Sequence, residues 1–289
     1  MQPQKQHWLP CVYLKHFSPD ASKRSKSKVW RFDGSINRDV PVESQCSDKF
    51  FYSIACAKEA EDCFNQIETL YDGCVRKIVA GAAHRPTFQE YFGLILMVFD
   101  LHLRNKAQQN LTTQNNLEAY RTRLFLFLRD MFLGRSEGTP DERELKSHLQ
   151  THWRVNIIVP SADSEFITSD NPAMIFTTND RHDCHYALLP ITPGHLAVAF
   201  DQRFIEIRPG HTTQADDELL NRNQCRQASS AIYSRTKLDA EQERNTARLL
   251  NEPRKHGAIS QSSVEFTGLK MLPGANLSFI GMRSRHPCE

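Results

Sequence analysis

The spacing of apolar residues divides the chain into stretches of different texture. Near the start, "VWRF" (29–32) alternates like a short strand and runs into Asp33-Gly34, a hairpin signal, and "DKFFYS" (48–53) reads as a second extended piece. The period then changes. Ala57, Ala60, Phe64, Ile67, Tyr71, Cys74 and Ile78 recur at helical spacing and predict a helix over 56–80 that stops at Gly81, with Glu61, Asn65, Glu68 and Asp72 on a different stripe. Pro86 opens a second helix, to about 110. Tyr91, Leu94, Ile95, Val98 and Leu101 line one side of it, and Phe88, Phe92, Leu96, Phe99 and Leu103 the adjoining side. Only a narrow strip holding Gly93, Met97, Asp100 and Arg104 remains, so this helix is expected at the centre of the molecule. A third helix is predicted over 114–133, and a shorter one from Pro140.

From residue 155 short apolar runs take over: "VNIIVP", "EFITSD", "AMIFTT", "YALLP", "LAVAF" and "FIEI", broken by Pro, Asn, Asp and Gly, as in an antiparallel sheet with short connections. Helical texture returns at 216–234 and 239–251, followed by strand-like "SVEFTGL" and "LSFIGM". Helices, then strands, then helix predict an α+β fold: an N-terminal extended segment and helical bundle, a following antiparallel sheet and a C-terminal helix. The expected organisation is one domain over 1–236 and a C-terminal extension over 237–289, packed on that domain or trailing it.

Composition refines this picture only slightly. The 289 residues are 39% hydrophobic with a formal net charge of +2, too near neutral to argue for nucleic acid from bulk charge. The longest apolar run, "FGLILMVF" (92–99), is far short of the roughly 20 residues of a membrane span, and no signal-peptide pattern follows Met1. A cytoplasmic protein that does not enter membranes is expected. Its eight cysteines form no C-x-x-C pair, so neither a disulfide framework nor a zinc module is indicated. No P-loop, G-x-G-x-x-G, G-x-S-x-G or H-E-x-x-H motif occurs.

Candidate chemistry lies in four places. The opening "QHWLPCVYLKHFS" packs His7, Pro10 and Tyr13 into a stiff segment, where His7 is either a general base, a metal ligand or a cap beside core residues Trp8, Val12 and Phe17. "FITSDNPAM" runs a strand into Ser169-Asp170-Asn171-Pro172, which reads as an Asx-turn or as a strand end presenting Asp170 and Asn171 to a pocket. "NDRHDCH" (179–185) contains metal-capable His182, Cys184 and His185, but without a partner pair it reads as a solvated loop. Asp100 and Arg104, at i and i+4 on the central helix, need each other or a buried site, because an unpaired charge in a core is costly.

The opening and the turn together resemble a widespread bacterial family, domain of unknown function 4238. His7-Trp8-Leu9-Pro10 with Tyr13-Leu14-Lys15 and Phe17 is similar to its H-[YF]-[VI]-P-x-x-Y-L-[RK]-x-F opening. Further steps match at Trp30-Phe32-Asp33, Phe51-Tyr52-Ser53, Glu68, Ser169 to Pro172, Leu189 to Pro193 and the helix of 221–234, so the resemblance spans about residues 5–236. Trp8 and Cys11 depart from the usual residues but leave His7, Pro10 and Tyr13 in place. The resemblance brings no agreed reaction. It implies that these polar positions belong to one design.

The resulting expectation is one pocket in which His7, Tyr13, Glu68, Asp170 and Asn171 are catalytic and Asp100 and Arg104 bind substrate. A histidine, carboxylates and an arginine suit phosphodiester cleavage, with room for a divalent metal. This reads as a nuclease-like effector of bacterial conflict or phage defence, a toxin acting on nucleic acid. The competing reading is a non-catalytic module that recognises a nucleotide or a partner protein, with the same residues forming an internal hydrogen-bond network.

Overall fold

The computed structural model describes residues 5–20, 27–49, 57–81, 87–104, 147, 150–178, 184–207, 212–252, 269–271 and 277–279. The helix expected over 114–133 and the loop 179–183 lie outside the described residues, and of the helix expected from Pro140 only Ser147 and Gln150 to His152 are described, all helical.

The chain opens with strand β1 (Lys5–His7), paired antiparallel with β4 (Ser47–Lys49). It is not extended throughout. Pro10 starts a helical turn, α1 (Cys11–Leu14), which tightens into a 3₁₀ turn over Lys15–Phe17. Pro10 suits that position because its fixed φ fits a helix start and its missing N–H would find no partner in a first turn. β2 (Lys28–Phe32) and β3 (Asn37–Pro41) form the expected hairpin. Asp33 Oδ1 accepts from the Ser35 and Ile36 amides, and Gly34 takes φ +91°, a value a side chain would oppose.

Helix α2 (Ala57–Val79) agrees with its apolar period to within a residue. Helix α3 (Phe88–Arg104) is buried along nearly its whole length from Phe92 to Leu101. The two cross closely at Gly93, where an added Cβ would lie 3.2 Å from that of Leu70.

Five strands then form the main sheet. Its order is β13 (Leu277–Phe279), β7 (Met174–Thr178), β8 (Cys184–Thr192), β9 (His195–Asp201) and β5 (Trp153–Ile158), all antiparallel. Alternate residues serve two cores. Ile175, Ala187, Leu189, Ile191, Ala197 and Ala199 face α2, α3 and the opening segment, whereas Met174, Phe176, Tyr186, Leu188, Val198 and Phe200 form a second core with Leu220. Burial on both faces is why these runs read as continuously apolar rather than alternating.

Two corrections to the sequence reading follow. The expected single helix over 216–234 is α4 (Gln214–Gln227), capped by Thr213 and Asp216, followed by strand β11 (Ile232–Ser234). Ala228, at ψ 133°, ends the helix. Likewise the strands do not all join one sheet. β6 (Thr168–Ser169) pairs with β11, and β11 with β2, giving a second sheet of order β3-β2-β11-β6. This sheet ties the N-terminal hairpin to residues about 200 positions later. Helix α5 (Ala240–Asn251) places Leu249 in a third core with Phe32, Cys225 and Ile232. β12 (Leu269–Met271) pairs with β10 (Ile205–Ile207). The described residues after 237 thus supply a helix and two strands.

Candidate functional site

Four of the seven nominated residues meet at Arg104. Its Nη1 donates to Asp100 Oδ2 at 2.8 Å and Glu68 Oε1 at 3.2 Å, and its Nη2 donates to the His7 carbonyl at 3.0 Å. The guanidinium also lies 4.1 Å from the centre of the Phe64 ring. Each element sets one member. The i, i+4 spacing on α3 aligns Asp100 with Arg104, α2 brings Glu68 across, and β1 presents the His7 backbone. His7 is half-buried, and its ring Nε2–H donates to the Glu43 carbonyl at 3.2 Å, an assignment that follows because a carbonyl only accepts. Burial pushes the Asp100 carboxyl up to about 6 against the opposing pull of Arg104, and Glu68 adds to the rise.

Tyr13 sits deeper, fully enclosed. Its single phenolic proton goes to the Pro190 carbonyl at 2.6 Å, so the 2.7 Å contact with Thr168 is one in which the Thr168 hydroxyl donates. Burial drives its pKa far up, opposed by the Thr168 bond, so Tyr13 stays neutral. These bonds bring the opening segment against β6, the strand that leads into the S-D-N-P turn.

In that turn Asp170 Oδ1 accepts from the Ser229 amide at 2.7 Å and Oδ2 from the Ser230 hydroxyl at 2.6 Å. Burial pushes its carboxyl up while these donors hold it down. Asn171 Nδ2 donates to the Gln227 carbonyl, and Gln227 Nε2 donates back to the Asn171 and Ala173 carbonyls. Ser169 Oγ donates to Gln224 Oε1, whose Nε2 donates to the Pro172 carbonyl. The turn is therefore clamped by the end of α4. The nominated residues fall into an Arg104 cluster, the Tyr13 bridge and the S-D-N-P clamp.

A further polar group escaped the sequence reading. Asp72 receives Lys15 Nζ at 2.7 Å and His16 Nε2 at 2.9 Å on Oδ1, and Arg76 at 2.8 Å on Oδ2. These donors overcome burial and hold the Asp72 carboxyl well below the usual carboxylate range. The signal was present, since Asp72 shares the polar stripe with Glu68 and Lys15 belongs to the opening motif. What it lacked was a partner in sequence. Cys46 likewise contacts the Tyr233 hydroxyl through Sγ at 3.1 Å. Among the described residues no group of three or more His, Cys, Asp or Glu is placed to hold a metal ion, and no helix is long and apolar enough to cross a membrane.

Fold and polar seam define an α+β protein of antiparallel sheets whose N-terminal segment is fastened by buried hydrogen bonds to a central helix pair and a strand turn. The chain belongs to the family described as Protein of unknown function (DUF4238), whose model matches residues 5–238. No curated protein and no solved structure matches it significantly.

Proposed function

We propose that this protein acts by recognition rather than catalysis, as a module whose buried polar seam fixes the shape of its N-terminal face. The observation that carries this reading is burial: Tyr13, Asp100, Arg104, Asp170 and Asn171 are each at most 6% exposed. A nuclease must present donors and catalytic groups to a polyanionic strand. Here Arg104 is spent on two carboxylates, a carbonyl and an aromatic face, and Asp170 accepts through both oxygens. Accessible groups at this end include the exposed Glu43, the half-buried His7 and Glu68, whose side chain is 22% exposed. Two accessible acidic residues at the end that carries His7 suit a partner protein that brings basic or donor groups better than a nucleotide phosphate.

A second reading, the nuclease-like effector of bacterial conflict or phage defence, is favoured by one observation. Asp100, its carboxyl pushed up to about 6, shares Arg104 with Glu68 and the His7 carbonyl, a pattern shared with acid–base sites. In that reading His7 and Glu68 meet the substrate, with or without a divalent metal. Asp100 and Arg104 position Glu68, and Tyr13, Asp170 and Asn171 hold the frame.

One experiment separates them. Purified protein is incubated with single- and double-stranded DNA and RNA, with and without Mg²⁺ or Mn²⁺. The recognition reading expects intact nucleic acid throughout. Cleavage that disappears in His7→Ala and Glu68→Gln at unchanged Tm would overturn it in favour of the effector.

A further inference from the structure

We propose that the S-D-N-P turn and the loop after α4 enclose a site for a monovalent cation, lined by Asn171 Oδ1, Gln227 Oε1 and Ser229 Oγ. All three oxygens are buried and find no hydrogen-bond partner among the described residues. Asn171 is 3% and Gln227 1% exposed. A buried acceptor left unpaired costs about 1–3 kcal/mol, and three within a few residues of one turn call for an occupant.

Reversing the amides does not remove the need. Asn171 Nδ2 faces the Gln227 carbonyl at 3.2 Å, and Gln227 Nε2 faces the carbonyls of Asn171 and Ala173. Exchanging nitrogen for oxygen would set oxygen against oxygen, so the backbone fixes both amides with their oxygens unsatisfied. Because the oxygen and nitrogen of an amide share one carbon, both orphan oxygens lie beside this reciprocal clasp. Ser229 follows Gln227 by two residues, and its amide donates to Asp170 Oδ1.

Charge selects the occupant. Asp170 is buried beside this group and has no ion-pair partner among the described residues. The donors that face its oxygens are neutral, the Ser230 hydroxyl and backbone N–H groups of Ser229 to Ala231. One unit of positive charge among the orphan oxygens balances one carboxylate. Oxygen ligands suit a hard cation, and a single carboxylate already engaged in hydrogen bonds does not provide the charge that a divalent ion commonly draws from its site.

The test is thermal unfolding of the full chain in KCl, NaCl and tetramethylammonium chloride at equal ionic strength, with Ser229→Ala alongside. This variant removes one oxygen and leaves the amide bond to Asp170. A saturable rise of about 2 °C or more in KCl or NaCl over tetramethylammonium, reduced in Ser229→Ala, supports the site. Crystals soaked in Rb⁺ or Tl⁺ are expected to place an anomalous peak among the three oxygens. Equal melting in all three salts, or an ordered water there with no anomalous signal, would overturn it.

Discussion

Tyr13 and Arg104 carry much of the long-range order through single side chains. Tyr13→Phe keeps the ring and its packing but strands the Pro190 carbonyl and the Thr168 hydroxyl, both buried. A loss of about 1–3 kcal/mol in urea unfolding is expected. A loss under 0.5 kcal/mol would mean that water replaces the phenol. Arg104→Ala removes the only ion-pair partner of Asp100 among the described residues and leaves two carboxylates facing each other. A destabilisation of about 3–5 kcal/mol is expected. Arg104→Lys recovers only part of it, because an ammonium cannot fork between two carboxylates and a carbonyl as a planar guanidinium does. Equal stability of the lysine variant and wild type would refute that account.

Among the elements, α3 was the most legible in sequence and its packing explains why. An apolar surface nearly all round leaves a helix no place but the centre, and the polar strip then had to be internal. Gly93 on that strip is where α2 approaches. Gly93→Val drives branched methyls toward Leu70 and is expected to cost about 1–3 kcal/mol, read as a drop in Tm. An unchanged Tm would show that the helices slide apart freely. The helix-to-strand switch after Gln227 was not legible. "ASSAIYS" carries no Gly or Pro, and the chain turns there because Ser229 and Ser230 are recruited by Asp170, nearly sixty positions earlier. The same holds for the candidate site. Asp100 with Arg104 followed from helical spacing, whereas Lys15 and His16 with Asp72, and Tyr13 with Thr168, are encounters that no local pattern encodes.

For the whole molecule, these carboxylates act in opposite senses on stability. Asp72 is depressed, so its contribution is full above the ordinary carboxylate pKa and is lost as pH falls below it. Asp100 is raised, so its contribution is full below the ordinary value and is lost as pH rises through about 6. Both are favourable only in a narrow acidic window, and urea unfolding from pH 3 to 8 is expected to give maximal stability near pH 4. Asp100→Asn removes the decline between about pH 4 and 6, worth up to about 3 kcal/mol. A variant whose profile parallels wild type would show that Asp100 does not titrate there.

The placement of β11 between β2 and β6 has a consequence for synthesis. The hairpin of residues 28–41 leaves the ribosome early, yet the strand that completes its inner edge spans 232–234. At about 5–20 residues per second the nascent chain carries that open edge for roughly 10–40 seconds. Unpaired edges of this kind invite pairing with other chains. Co-expression of a holdase chaperone is therefore expected to raise the yield of intact protein without changing the stability of the finished fold.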